Sequence, residues 1–440
     1  MNSNHPGKKL GLWTATSLVV GNMIGSGVFL MPAALAGYGS VSLLGWVFAA
    51  VGSFFLAKVF GNLSKLAPGI TGGPYAYTRE GLGDFTGFLV AWGYYICVAC
   101  ANAAITISFV SALSTFFPVL NNNPVPAVLA GLAAIWLLTW INTRGIAVSG
   151  KLQLVTTLLK ILPLIIVAFG GLFFIRPENF IPFNRTGGSV FSAINITATF
   201  TMFAFVGIES ASVPAGNVEK PEITIPRATL IGLMVATVIY LLGSISIMGM
   251  LPAETLQKST TPYADAAEIM FGKSARYWVS AGVAIAAFGA LNGWILLQGQ
   301  LPRAIAKDKL FPILFAKENR KGVPYTGIVI NSILISLFMI MNYTKGLVEQ
   351  FRFLLTLSVF LVLVPYLLST VAYLILRLQS KGANQQSLSA PVMLFILAFG
   401  YSLWAIAGAG EKTVYAGFLL LMVGAPFYVW VKKSNEKNNT

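Results

Sequence analysis

Residues 13–35 read WTATSLVVGNMIGSGVFLMPAAL, an apolar run long enough to cross a bilayer but broken at Gly21-Asn22-Met23-Ile24-Gly25-Ser26-Gly27. Three glycines around an Asn and a Ser are poor helix material. Irregular backbone at membrane depth is tolerated only where protein buries it or a cavity receives it. The stretch therefore predicts a discontinuous helix, one half ending near Ile24 and the other starting near Gly27. Free N–H groups at the second half would suit an anion.

Composition places the break in a membrane. Of 440 residues, 56% are hydrophobic and only 10% charged, far below the roughly 25% charged of a soluble domain. The formal net charge of +15 does not imply nucleic-acid binding, because the basic residues are scattered over short loops between apolar runs. Cys97 and Cys100 lie three apart in one run, too few for a disulfide framework or a metal site, and the only histidine is His5. No metal or cofactor is expected. Ser-His-Asp chemistry and a histidine proton ladder are both excluded. Gly72-Gly73 lacks the ending of a phosphate-binding loop, and no clustered catalytic groups suggest an enzyme.

Twelve apolar runs of spanning length succeed one another, at about 11–36, 41–64, 85–114, 125–143, 151–174, 191–215, 229–251, 277–302, 325–342, 352–376, 390–409 and 414–431. The expected organisation is a cytoplasmic tail at 1–10 and a ten-helix core at 11–376, in halves 11–174 and 191–376. Helices 11 and 12 fill 377–431, and a second cytoplasmic tail fills 432–440. With the N-terminus inside, 19 Lys and Arg fall on the cytoplasmic side and 8 outside, which predicts both termini in the cytoplasm.

A second interruption lies in the sixth run, at Thr201-Met202-Phe203-Ala204-Phe205-Val206-Gly207-Ile208-Glu209-Ser210-Ala211-Ser212. Five spans separate the starts of the two broken runs, so they traverse the membrane in opposite directions. That is the pattern of a five-plus-five inverted repeat in a transporter. The competing reading is close helix packing by small residues.

Glu209 is the only acid within a span, where a carboxyl is costly and has a task or a partner. It reads as a proton site or coupling switch, or as a structural hydrogen-bond hub at the break. Lys160, mid-run in the fifth span, is a candidate tethered cation standing where a sodium ion would otherwise bind, or a partner for Glu209, or an ammonium reaching the interface. Trp294 comes directly after the flexible Gly289-Ala290-Leu291-Asn292-Gly293 and could cover an aliphatic chain or a cation. Phe203, Tyr94 and Tyr75 are further aromatic candidates near the breaks or loops. Asn102 and Ser358 are uncharged polar groups within spans.

Four stretches carry a resemblance: Gly21 to Phe29, Gly72-Gly73-Pro74-Tyr75-Ala76-Tyr77, Phe205 to Ala211, and Asn217-Val218-Glu219-Lys220-Pro221 with Ile225-Pro226-Arg227. They resemble the amino acid–polyamine–organocation (APC) transporters over essentially the whole chain. With Gly293-Trp294, Gly299-Gln300 and Val364-Pro365-Tyr366, the chain most resembles the bacterial arginine/agmatine and ornithine/putrescine antiporters. The resemblance implies an all-α integral membrane protein of twelve transmembrane helices, a LeuT-type inverted repeat with broken helices 1 and 6, and alternating access at the bacterial inner membrane.

By position, the resemblance sets a substrate carboxylate against Ser26 and the Gly27 amide. It sets the α-amine against carbonyls near Met23, Phe203 and Val206, and the substrate side chain near Asn102, Ile105, Trp294 and Ser358. Tyr75, Tyr94 and Trp294 match gate positions, and Glu209 matches the family's acid. Phe203 and Val98 stand where the arginine/agmatine antiporters carry Trp and Cys. Lys160 resembles a lysine of sodium-independent carriers. The expected function is sodium-independent exchange of a basic amino acid for a related amine or amino acid. The alternative is a neutral amino acid exchanger or proton-coupled permease. The partners are then a small amino acid or amine and the lipid bilayer, with a homodimer as a further implication.

Overall fold

A computed structural model describes residues 10–70, 72–144, 162–213, 215–341, 344–380 and 388–437. The described residues are helical throughout, apart from loops and one isolated bridge between Leu10 and Val218. In chain order the helices that build the molecule are α1 (Leu12–Met23), α2 (Met31–Ala36), α3 (Ser42–Leu66), α4 (Pro74–Leu82), α5 (Asp84–Leu113), α6 (Pro124–Thr143), α7 (Val190–Met202), α8 (Pro221–Met250), α9 (Lys273–Lys307), α10 (Tyr325–Met341), α11 (Leu347–Gln379), α12 (Ser389–Gly408), α13 (Glu411–Met422) and α14 (Gly424–Lys437).

Eight helical segments are long and apolar enough to cross a membrane: α3, α5, α6, α8, α9, α11, α12 and the pair α13–α14. Three more apolar helical segments, at 162–174, 190–205 and 325–341, are shorter. The first apolar run is divided between α1 and α2.

Burial ranks the helices. The apolar stretch of α5 is 89% buried, against 17% for α12. A helix hydrophobic all round and buried all round is a core element, so α5 is the axis, nested between α9 and α11. α12 and the α13–α14 pair line the outside, where exposed Met393, Ile396, Phe418 and Val429 are suited to lipid.

Small residues set the close crossings, as expected where lipid gives no hydrophobic drive between helices. A Cβ on Gly45 of α3 would overlap Thr197 of α7, and one on Gly408 of α12 would overlap Thr199 of the same helix. Neither α3 nor α12 could approach α7 with a larger residue there. This packing is independent of the glycines at the two breaks.

Candidate functional site

α1 stops at Met23, after the Ile24 amide bonds Val20 O at 2.8 Å. Gly25 is extended, and the chain restarts as a 3-10 turn over Ser26–Phe29 before α2. The break in the first run is thus where the glycines put it.

The second break differs from expectation. α7 ends at Met202, a 3-10 turn covers Phe203–Phe205, Val206 is extended and Gly207 has φ +106. From there the chain runs in turns to Val213 instead of resuming an α-helix. The cause is local competition for carbonyls. Ser210 N bonds Gly207 O at 2.9 Å, while Ser212 N and Oγ both bond Glu209 O, at 2.8 and 2.6 Å.

The two breaks cross each other. Asn22 Nδ2 donates to Ser210 Oγ at 2.9 Å. From α8, the Tyr240 hydroxyl is shared between Met23 O at 2.7 Å and Ala204 O at 3.1 Å. One buried tyrosine therefore clasps a loosened carbonyl from each broken segment, groups that would otherwise cost several kcal/mol in an apolar medium. This corrects one expectation: Met23 O is not free for an amine, since it accepts from Tyr240 and from the Gly25 amide at 2.6 Å.

At the crossing lies a cavity of about 20 Å³, room for about one water, walled by Met23, Ile105, Phe203, Val206 and Trp294 together with Asn22, Gly25, Val28, Ala101 and Ala204. Five residues singled out from sequence thus converge from separate stretches of chain. Ser26 and Gly27 begin the turn directly after Gly25. Phe203 packs edge-on against Phe351 of α11, ring centroids 6.1 Å apart. Among the described residues, no charged side chain lines this cavity.

Other candidates stand elsewhere. Asn102 turns to α9, its Nδ2 donating to Gln298 Oε1 at 2.9 Å, and Gln298 passes on to Ile328 O and Ser332 Oγ. Ser358 faces Cys97, its hydroxyl 3.3 Å from both the Cys97 carbonyl oxygen and Sγ. Both polar groups bond across helices and neither lines the cavity.

Tyr75 lies at the end of the bundle, donating to Asp308 Oδ2 at 2.7 Å beside the Arg79–Asp308 and Arg79–Asp84 ion pairs. Burial, then the Asp308 carboxylate, pushes the Tyr75 hydroxyl far up, so it stays a donor. Lys160 lies outside the described residues.

Glu209 is 1% exposed and is the only charged side chain so deeply buried among the described residues. Tyr94 of α5 and Tyr366 of α11 each donate a hydroxyl to its carboxyl, and the Gly207 amide approaches Oε2 at 3.2 Å. The carboxyl thereby ties the second break to the two central helices. Tyr366, Tyr240 and Gln298 are not distinguishable as site residues in the sequence. A tyrosine in an apolar run reads the same whether it faces lipid or a partner, though Tyr366 stands in one of the stretches that carry the family resemblance.

A model of the amino acid permease family matches residues 10–439. The chain is similar over nearly its whole length to proteins named arginine/agmatine antiporter. It is 32% identical to the one of Chlamydia pneumoniae (98% of this chain, 92% of the relative). For that of Chlamydia trachomatis serovar L2 the identity is 31% (98% and 91%), and for that of Chlamydia felis 29% (100% and 93%).

Proposed function

The chain belongs to the amino acid permease family, and we propose that it exchanges a basic amino acid for a related amine or amino acid across the bacterial inner membrane, without sodium. It is a multi-pass membrane transporter and not an enzyme. The observation that carries the reading is the cavity at the crossing of two broken segments, walled by Phe203 and Trp294. A site at a break meets backbone polar groups that a continuous helix would have used internally. The whole-length likeness to arginine/agmatine antiporters supports the basic substrate.

In this reading twelve spans form a five-plus-five inverted repeat of the LeuT type at 11–376, with helices 11 and 12 appended and both termini cytoplasmic. Eight long helices, three shorter apolar ones and the divided first run support that number. The substrate carboxylate meets Ser26 and the Gly27 amide, the α-amine the carbonyls of Phe203 and Val206, and the side chain the rings of Phe203 and Trp294. Alternating access then turns on the crossing, with Glu209 coupling it to α5 and α11.

The neutral alternative has an observation in its favour. Among the described residues the cavity wall carries no acid, and the Glu209 carboxyl is taken by two tyrosines. Counterflow decides. Proteoliposomes loaded without sodium with arginine, agmatine, ornithine, putrescine, lysine, alanine, serine or leucine take up the matching labelled solute. Strong exchange of the basic set is expected. Exchange confined to alanine, serine or leucine moves the assignment to neutral carriers. Lys160→Ala tests the sodium claim: loss of transport or a new sodium requirement fits a tethered cation, and unchanged kinetics removes that role.

A further inference from the structure

α3 places Lys58, Asn62 and Lys65 at i, i+4 and i+7, on one face of the helix. That face borders a groove of about 710 Å³ between α3, α8, α11 and α12, within the size range of ligand sites. Gly61 lets α8 close the floor, since a Cβ there would lie 3.0 Å from Pro226. α11 adds Tyr373 and Arg377, one turn apart, and Asn62 Nδ2 donates to the Tyr373 hydroxyl at 3.4 Å. Among the described residues the lining holds three cations and no carboxylate.

The groove is graded along its length. Lys65 and Arg377 stand near the ends of their helices, and Lys58 about 12 Å deeper than Leu66, at 1.5 Å per residue. Beyond them the wall is apolar, with Phe55, Leu230 and Leu397. From Leu66 to Phe55 is about 16 Å, roughly the thickness of one leaflet's hydrocarbon. Lys58 itself lies over the Phe54 ring, 4.7 Å from its centroid. An ammonium at that depth is costly unless an anion or water meets it.

We propose that this groove holds an anionic glycerophospholipid of the surrounding bilayer, its phosphate held by Lys58, Lys65 and Arg377 and its acyl chains laid along Phe55, Leu230 and Leu397. A basic pocket between spanning helices is suited to such headgroups. The site is remote from the cavity at the breaks and owes nothing to the identity of the transported solute.

The test uses the purified full-length protein, titrated with dioleoyl-phosphatidylglycerol and read by native mass spectrometry. Wild type retains the lipid in preference to dioleoyl-phosphatidylcholine. Lys58→Gln/Lys65→Gln/Arg377→Gln loses that occupancy by about tenfold or more, while Lys317→Gln/Arg320→Gln/Lys321→Gln, which removes equal charge from another loop, keeps it. Leu394→Trp/Leu397→Trp fills the apolar half with every cation present, and it too loses the lipid. Equal loss in the loop variant would overturn the proposal in favour of diffuse charge. Equal retention of phosphatidylcholine would reduce the groove to an apolar seat. Displacement by glycerol 3-phosphate alone would assign it to a free phosphate ester.

Discussion

At the scale of the residue, two side chains carry the site in different ways. Trp294 presents an apolar wall to the cavity, so its loss removes contact without unpairing any buried bond. Trp294→Leu is expected to cut counterflow by about tenfold, the 1–2 kcal/mol of one desolvated aromatic contact, with gel filtration unchanged. Normal transport would remove Trp294 from the site. Glu209 is the opposite case, since its carboxyl receives two hydroxyls and an amide. Glu209→Gln keeps the volume but turns an N–H₂ toward one tyrosine. It is expected to slow exchange while the protein still folds, with a thermal midpoint lowered by the loss of about one charge-assisted bond, 1.5–3 kcal/mol. Wild-type exchange in that variant would leave the carboxyl as a structural hub alone.

At the scale of the element, the breaks are the feature most legible in the chain. The cluster of three glycines with Asn and Ser cannot sustain helix and marks the first interruption, and the single Gly207, at φ +106, stands within the second. The path of the chain beyond the second break is not legible there, because Ser210 and Ser212 divert carbonyls into turns through contacts that exist only in the folded chain. Asn102 and Ser358 escape a sequence-based placement for a related reason. α5 and α11 are apolar nearly all round, so no hydrophobic stripe shows which face a polar residue occupies. Tyr240 shows the same limit, since its position in α8 gives no hint that it grips two other segments. Tyr240→Phe leaves Ala204 O without its hydroxyl partner and is expected to lower unfolding stability by about 1–2 kcal/mol. Counterflow should slow in parallel as the crossing loosens. An unchanged thermal midpoint would mean that water or relaxation replaces the clasp.

At the scale of the whole molecule, the distribution of basic residues sets the expected orientation. The count of basic residues argues for both termini in the cytoplasm, which requires an even number of crossings. Two features make this directly measurable. The native thiols Cys97 and Cys100 are fully enclosed in α5, so a membrane-impermeant maleimide meets almost no background. The exposed loop that holds Asn184 offers a site for an introduced thiol. Ser3→Cys and Asn435→Cys are expected to react in inside-out vesicles and not in right-side-out ones. Asn184→Cys, in the exposed loop before α7, is expected to show the reverse. Labelling of Ser3→Cys and Asn435→Cys from opposite faces would make the number of crossings odd. If the odd crossing fell among the four runs between the two broken ones, those two would run parallel and their antiparallel relation would lose its basis. The cavity would remain where Phe203 and Trp294 meet, but a pair of inverted halves could no longer be the device that exposes it to each side in turn.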